Sequence, residues 1–258
     1  MLDIRNLSVT YISGADRTPA VKDVSFAIER GSFTGLVGES GSGKSTIIMS
    51  ALGLLPPGTE ISGAMLYKGA DILGMSEDEK RSLRWKEISL VPQGAQNSLT
   101  PVLKIKRHIE EVLDVHLAKH GEEAEKETAR LLTEVGLDPS VGERYPHELS
   151  GGQKQRAAIA LALACSPSLL LADEPTTALD VIIQSDILQL LHSLKKSKNL
   201  SIVLITHDLP MAATVCDRLI VMKDGIVVET GVPREIVRNP GHPHTKELVK
   251  AMFLQREE

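Results

Sequence analysis

The 258-residue chain is 42% hydrophobic and 24% charged, which fits a soluble globular protein of one large α/β domain or two small ones. Its net charge of −5 lacks the basic footprint of a nucleic-acid binder, so nucleic acid is not expected among its partners. Aromatic residues are only 3%, so the core must rest on Leu, Ile, Val and Ala.

The opening Met1-Leu2-Asp3-Ile4-Arg5 shows no signal-peptide pattern and runs straight into strand-like alternation of Ile4, Leu7, Val9 and Tyr11. A turn is expected around Ser13-Gly14-Ala15-Asp16, a second alternating run over 24–28, and a turn at Glu29-Arg30-Gly31. A short apolar strand over 33–37 feeds a Gly-rich segment at 38–43, and a helix follows over about 44–54, ended by Pro56-Pro57-Gly58. Residues 76–87 read as a charged helix and 88–91 as a strand.

From Gly94 to Cys165 the period becomes helical, as in Ile109, Val112, Leu113 and Leu117, with a solvated charged helix around 122–135. Continuous apolar runs at 169–172, 202–205 and 219–222 then read as parallel strands covered on both faces, separated by helices such as 181–196. The most apolar stretch, 157–172, is broken by Pro167 between Ser166 and Ser168, so each half is too short to span a bilayer and reads as a buried helix followed by a buried strand. Cys165 and Cys216 form no CxxC pair or Cys/His cluster and read as buried thiols in a reducing compartment. A cytosolic location follows, with any membrane link made through partners. The pattern is an α/β core interrupted by a helical insertion of roughly 70 residues, within ordinary subdomain size.

Gly38-Glu39-Ser40-Gly41-Ser42-Gly43-Lys44-Ser45-Thr46 matches G-x-x-x-x-G-K-S/T in full, between an expected strand and an expected helix. The glycines let the backbone curl its N–H groups around an anion, and the helix adds its positive end. Lys44 reaches the β- and γ-phosphates as a point charge and the Ser45 hydroxyl ligates Mg²⁺ in such a loop. The apolar run at 169–172 ends in Asp173-Glu174-Pro175. Ligands of open α/β sheets sit beyond the carboxyl ends of the strands, so Asp173 can bind Mg²⁺, directly or through water, and Glu174 can polarise or position an attacking water. A strand-end acidic pair led into a turn by Pro175 is the plainer alternative for those two residues.

Leu149-Ser150-Gly151-Gly152-Gln153, followed by an apolar helix over about 154–165, offers a second phosphate-ready helix start: Ser150 supplies a hydroxyl, and Gly151 and Gly152 allow close approach. Here the sequence resembles the ATP-binding cassette family, whose signature is this LSGGQ pentapeptide. The resemblance implies an α/β P-loop NTPase core with a mostly parallel sheet, an N-terminal antiparallel β subdomain and an inserted α-helical subdomain. On this sequence it implies one ATPase domain, with 1–93 and 166–258 as nucleotide-binding core and 94–165 as the helical signature subdomain. It also implies ATP and Mg²⁺ as ligands, and head-to-tail pairing in which one subunit's phosphate loop and the other's Ser150–Gln153 segment share each ATP.

Further matches extend the resemblance. Tyr11 stands where the family stacks an aromatic on adenine, and Gln93 where it senses Mg²⁺ and links the site to the membrane subunits. Ala178-Leu179-Asp180 resembles the loop through which paired subunits communicate, and His207 the histidine that contacts the γ-phosphate. His108, His116, His120 and His192 are expected on helix surfaces without chemistry.

The run 92–102, the run 172–181 and Asn239-Pro240-Gly241-His242-Pro243-His244-Thr245 resemble the peptide and nickel importer branch, with Thr100 in place of the usual Asn and His244 in place of the usual Tyr. A surface loop with turn-forming prolines is the plainer alternative for 239–245. The chain stops at Glu258 without the Cys-bearing extension of many oligopeptide subunits, so no iron–sulfur cluster is expected. The branch implies an ATP-driven importer motor on the cytoplasmic face of the membrane. Its partners would be a second ATPase subunit, identical or not, two permease subunits and, indirectly, an extracytoplasmic substrate-binding protein. An accessory ATPase of a soluble complex, such as one for phosphonate breakdown, is the alternative.

Overall fold

A computed structural model describes residues 1–254. The chain divides into two compact units, Met1–Arg81 together with the chain from Ser201, and Ser82–Leu200.

The first unit opens with a long antiparallel hairpin, β1 (Leu2–Ser13) and β2 (Asp16–Ile28), turned at Gly14. The buried face of β1 carries Leu2 and Ile4, then Leu7 and Val9. The odd step from Ile4 to Leu7 requires an extra residue. The ladder slips there, at Asn6 with φ of 48°. β3 (Phe33–Val37) is buried throughout, as its apolar run predicts, and leads through the Gly-rich loop into α1 (Lys44–Leu52). Gly53 ends α1 in the left-handed conformation, with Pro56 beyond it. β4 (Glu60–Tyr67) pairs with the other edge of β1 and with the short β5 (Ala70–Asp71), giving the antiparallel sheet order β2-β1-β4-β5. The solvated α2 (Glu77–Leu83) closes this part.

In the second unit β6 (Ile88–Val91) is followed by a 3-10 turn at Ala95–Asn97, then α3 (Ile105–Leu117) and α4 (Gly121–Glu134). On α3 the buried stripe is Ile105, Ile109 and Leu113, a strict i, i+4 row. Leu117, expected in that row, is 38% exposed at the helix end. α4 buries Ala124, Leu131 and Leu132 and carries charge outside, where Arg130 bridges Glu127 and Glu134. α5 (Gly151–Ala162) starts three residues earlier than the sequence suggests because Ser150 caps it. β7 (Leu169–Asp173) lies parallel to β6, Val91 facing Ala172, and α6 (Val181–Lys198) follows.

Back in the first unit, β8 (Ser201–Thr206) pairs parallel with β3, α7 (Leu209–Val215) follows, and β9 (Arg218–Lys223) takes the other side of β3. β10 (Ile226–Gly231) turns back antiparallel on β9. Two helices end the described chain, α8 (Pro233–Arg238) and α9 (Pro243–Leu254). The segment 239–245 is thus a lead-in to a helix.

Leu113 is fully buried on α3 while Val115, two residues on, is 63% exposed. Leu113→Ala is expected to lower unfolding free energy by roughly 2–5 kcal/mol, and Val115→Ala by less than about 0.5 kcal/mol. Urea unfolding midpoints of the two variants measure the contrast, and equal midpoints would refute the assignment of the core face.

Candidate functional site

In the first unit the phosphate loop begins where β3 ends. Val37 faces Thr206 across the parallel ladder, and the Gly38 amide continues it by donating to the Thr206 carbonyl at 3.3 Å. His207 therefore leaves the end of β8 next to the start of the loop, with its side chain exposed. Asp208 beyond it caps α7, accepting from the Met211 amide at 2.7 Å.

Two glycines set the curl. A Cβ on Gly38 would lie 2.4 Å from the Met222 carbonyl oxygen. Gly43 has φ of +99°, and a Cβ there would lie 2.4 Å from the Ala20 carbonyl oxygen. Gly43 starts α1 with no side-chain cap, and an uncapped helix start is the kind of end that suits an anion. Lys44 is buried, and its ammonium donates to the carbonyls of Gly38 and Glu39, both at 2.7 Å, and to Ser42 Oγ at 3.1 Å. The cation is thereby held at the centre of the loop by the loop's own oxygens. Ser40, Gly41 and Ser45 are exposed on the rim. Thr46 is buried, and its hydroxyl meets the Tyr11 hydroxyl at 3.0 Å. Tyr11 and Thr46 are thus joined side by side at the end of the hairpin.

In the second unit the parallel pairing of β6 and β7 releases Gln93 and Glu174 from neighbouring strand ends. Gln93 Nε2 donates to Glu174 Oε2 at 2.9 Å, and Thr177 Oγ1 donates to the same oxygen at 3.0 Å. Glu174 has φ of 44°, a left-handed conformation costing a non-glycine residue on the order of 1–3 kcal/mol. Pro175 follows it, and a residue before proline is already driven out of the right-handed helical region. Asp173, at the end of β7, is buried.

A second group in this unit gathers at two helix starts. Ser150 and Gln153 form a reciprocal capping box: Ser150 Oγ accepts from the Gln153 amide at 3.3 Å, and Gln153 Oε1 from the Ser150 amide at 3.1 Å. Asp180 caps α6, taking the Ile183 amide at 3.0 Å. The two starts touch, since a Cβ on Gly152 would lie 2.9 Å from Ile183 Cγ2. Gly151 and Gly152 are half-buried at this junction.

Three contacts escaped sequence reasoning. Thr177 orients Glu174; a hydroxyl three residues after an acid at a turn was the available signal. Ser42 completes the grip on Lys44. His108, expected on a surface, instead fastens the loop before α3, with Nε2 accepting from the Thr100 amide at 2.8 Å and Nδ1 donating to the Lys104 carbonyl at 3.0 Å. A cleft of about 450 Å³ between α3 and α4 contains none of the predicted site residues.

These features have counterparts in known proteins. The family model described as ABC transporter matches residues 21–177. The dipeptide transport ATP-binding protein DppD of Caldanaerobacter subterraneus subsp. tengcongensis is 43% identical over 257 residues, covering 98% of this chain and 78% of that relative. The oligopeptide transport ATP-binding protein OppD of Bacillus subtilis is 42% identical over 257 residues, covering 98% of this chain and 72% of that relative. Among solved structures, the dimeric post-hydrolysis state of the ATP-binding cassette MJ0796 bound to ADP and Pi superposes with a TM-score of 0.80 at 34% identity, covering 91% of this chain and 99% of that one. A phosphate loop that pre-positions its lysine, an acid pair at a strand end and a capped LSGGQ helix, on a chain matched by that family model over more than half its length, make this protein a member of the ABC transporter family and an ATP-hydrolysing cassette.

Proposed function

We propose that the chain is the motor subunit of a peptide importer, acting at the cytoplasmic face of a membrane as one of a head-to-tail pair of cassettes. Two glycine-rich helix starts on a single chain, the uncapped α1 behind the phosphate loop and the capped α5 behind Ser150, carry the reading. One bound nucleotide requires one phosphate loop, so the second start serves the nucleotide of a partner cassette. Val181 and Ile182, 79% and 75% exposed at the start of α6 beside Gly152, add apolar surface for that partner to cover. The identity to dipeptide and oligopeptide transport proteins supports peptides as the cargo class. Among the described residues no helix is long and apolar enough to cross a membrane, so the pore belongs to partner permeases in this proposal.

The first unit supplies phosphate binding. Gly38, Ser40, Gly41, Gly43 and Thr46 form the cradle, and Lys44 turns from its carbonyl partners to the β- and γ-phosphates. Tyr11 stacks on adenine and His207 contacts the γ-phosphate. The residues present suit Mg²⁺, because Ser45, Asp173 and the Gln93 amide offer hard oxygen donors. When bound, that ion neutralises the charge developing on the transferred phosphoryl group. The second unit supplies Glu174, held by Gln93 and Thr177, to orient the attacking water. Gly151, Gly152 and Gln153, with Ser150 and Asp180, close on the partner's nucleotide. The segment 94–165, with α3 to α5, acts as the helical signature subdomain of a core formed by 1–93 and 166–258, and receives a permease helix near 93–101. ATP closes the pair because it binds the closed state better, and loss of the γ-phosphate contacts reopens it.

Glu174→Gln is expected to retain nucleotide binding, slow turnover by about 10²–10⁴-fold and trap a closed dimer. Steady-state hydrolysis and size-exclusion chromatography with ATP measure both effects, and wild-type turnover would remove Glu174 from the mechanism. Ser150→Arg is expected to abolish hydrolysis by the homogeneous variant while sparing binding at its own phosphate loop. Full activity of that variant, or of a dilute monomer, would sink the shared site.

A further inference from the structure

Between β7 and α6 the chain turns sharply over 174–180, and two non-glycine residues there are left-handed: Glu174 with φ of 44° and Ala178 with φ of 63°. Such residues persist only where their surroundings over-determine them. Pro175 stands behind Glu174, and the Thr177 amide closes a turn on the Glu174 carbonyl at 3.2 Å. A second turn follows at once, the Leu179 amide donating to the Thr176 carbonyl at 3.3 Å. Thr177 and Ala178 are exposed, so packing does not fix them.

The side chain of Gln184, from the first turn of α6, reaches back across this segment. Its Nε2 donates to the Leu179 carbonyl at 3.2 Å and to the Thr176 carbonyl at 3.3 Å. A side-chain amide nitrogen carries two hydrogens, so both are placed. The two acceptors bracket Thr177 and Ala178. Holding both carbonyls fixes the direction in which Thr177 leaves the backbone, and its hydroxyl donates to Glu174 Oε2 at 3.0 Å. Gln184 itself stands on a packed support. Ile183 before it lies against the α5 start, where a Cβ on Gly152 would meet Ile183 Cγ2 at 2.9 Å, and Ile187 and Leu188 one turn on are buried. Its own amide donates to the Asp180 carbonyl at 2.9 Å. An arm mounted on a packed helix holds its tip more precisely than one mounted on a loop.

We propose that Gln184 is a positioning residue for Glu174: its amide pins the turn between β7 and α6, and through the Thr177 hydroxyl that turn sets the direction of the carboxylate. Gln184 touches neither nucleotide nor water in this role. The inference rests on Glu174 being the residue that orients the attacking water.

The test measures kcat and KM for MgATP and Kd for a fluorescent trinitrophenyl-ATP on the full chain. The variants are Gln184→Leu and Gln184→Met, which keep the bulk and lose the donor, Thr177→Val, and Gln184→Leu combined with Thr177→Val. Each single variant is expected to lower kcat by about tenfold while KM and Kd stay within about twofold. The double variant is expected to fall no more than about twofold below Thr177→Val, because the contact through which Gln184 acts has already gone. A glutamine that merely stabilises the fold would spread its loss over KM and Kd, and its loss would multiply with that of Thr177→Val. Either pattern, or wild-type kcat in the donorless variants, overturns the proposal. Should one donorless variant fail to fold, the other decides. A wild-type chain that does not hydrolyse ATP would overturn the functional reading itself, and this inference with it, whereas an active wild type with equally active Gln184 variants overturns this inference alone.

Discussion

A phosphate-binding loop has to store a cation in a nearly dry place before any phosphate arrives. An unpaired buried ammonium would shed its proton or unfold its surroundings. Here Lys44 is satisfied by the carbonyls of Gly38 and Glu39 and by Ser42 Oγ, each of them a few residues away. That solution works only while the loop keeps its curl, and the curl is imposed from outside. Ala20 on β2 presses its carbonyl against Gly43, Met222 on β9 does the same to Gly38, and the Gly225 amide donates to the Ser42 carbonyl at 3.2 Å. The antiparallel hairpin and the β9–β10 turn are therefore part of the phosphate site. A side chain at Gly43 or Gly38 would displace backbone on both sides of the contact.

The second unit applies the same economy to a negative charge. Glu174 stands in a strained conformation, and what keeps it there is local: Pro175 behind it, Thr177 closing the turn on it, and Gln93 reaching from the next strand. Both side-chain donors converge on one carboxylate oxygen. The carboxylate is thereby fixed in direction. Parallel pairing of β6 and β7 alone brings Gln93 and Glu174 within a hydrogen bond, although 81 positions separate them in sequence.

Much of this was legible in the residues. The phosphate loop, the acid pair and LSGGQ are short motifs whose neighbours fix their conformation, so strand, loop and helix were placed correctly around them. The apolar runs that became β3, β7, β8 and β9 declare themselves because strands covered on both faces need no alternation. β4 escaped notice because its outer half, Glu60 to Gly63, is exposed and polar, and its identity as a strand comes from pairing with β1. α9 was hidden by the prolines ahead of it, since Pro243 at a helix start reads as a loop residue until the turn that follows is seen. Contacts such as Tyr11 to Thr46 and His244 to Glu39 join segments far apart in the chain, and no periodicity encodes them.

The two glycine-rich helix starts look alike in sequence but differ in how their ends are satisfied, a difference that fits the separate tasks proposed for them. α1 begins at Gly43, whose left-handed backbone and missing side chain provide no cap. A helix start without a side-chain cap suits an anion, which its amides and dipole favour. α5 begins at Ser150, and the capping box with Gln153 meets two of the same needs internally. That helix start is stable without a ligand and keeps its shape while exposed. A loop built to envelop phosphate can afford to be incomplete alone, whereas a surface built to arrive at another molecule's phosphate must be finished beforehand. In the proposed pair of cassettes, the uncapped start suits the site that would hold the chain's own nucleotide, and the capped start the one that would be presented to a neighbour.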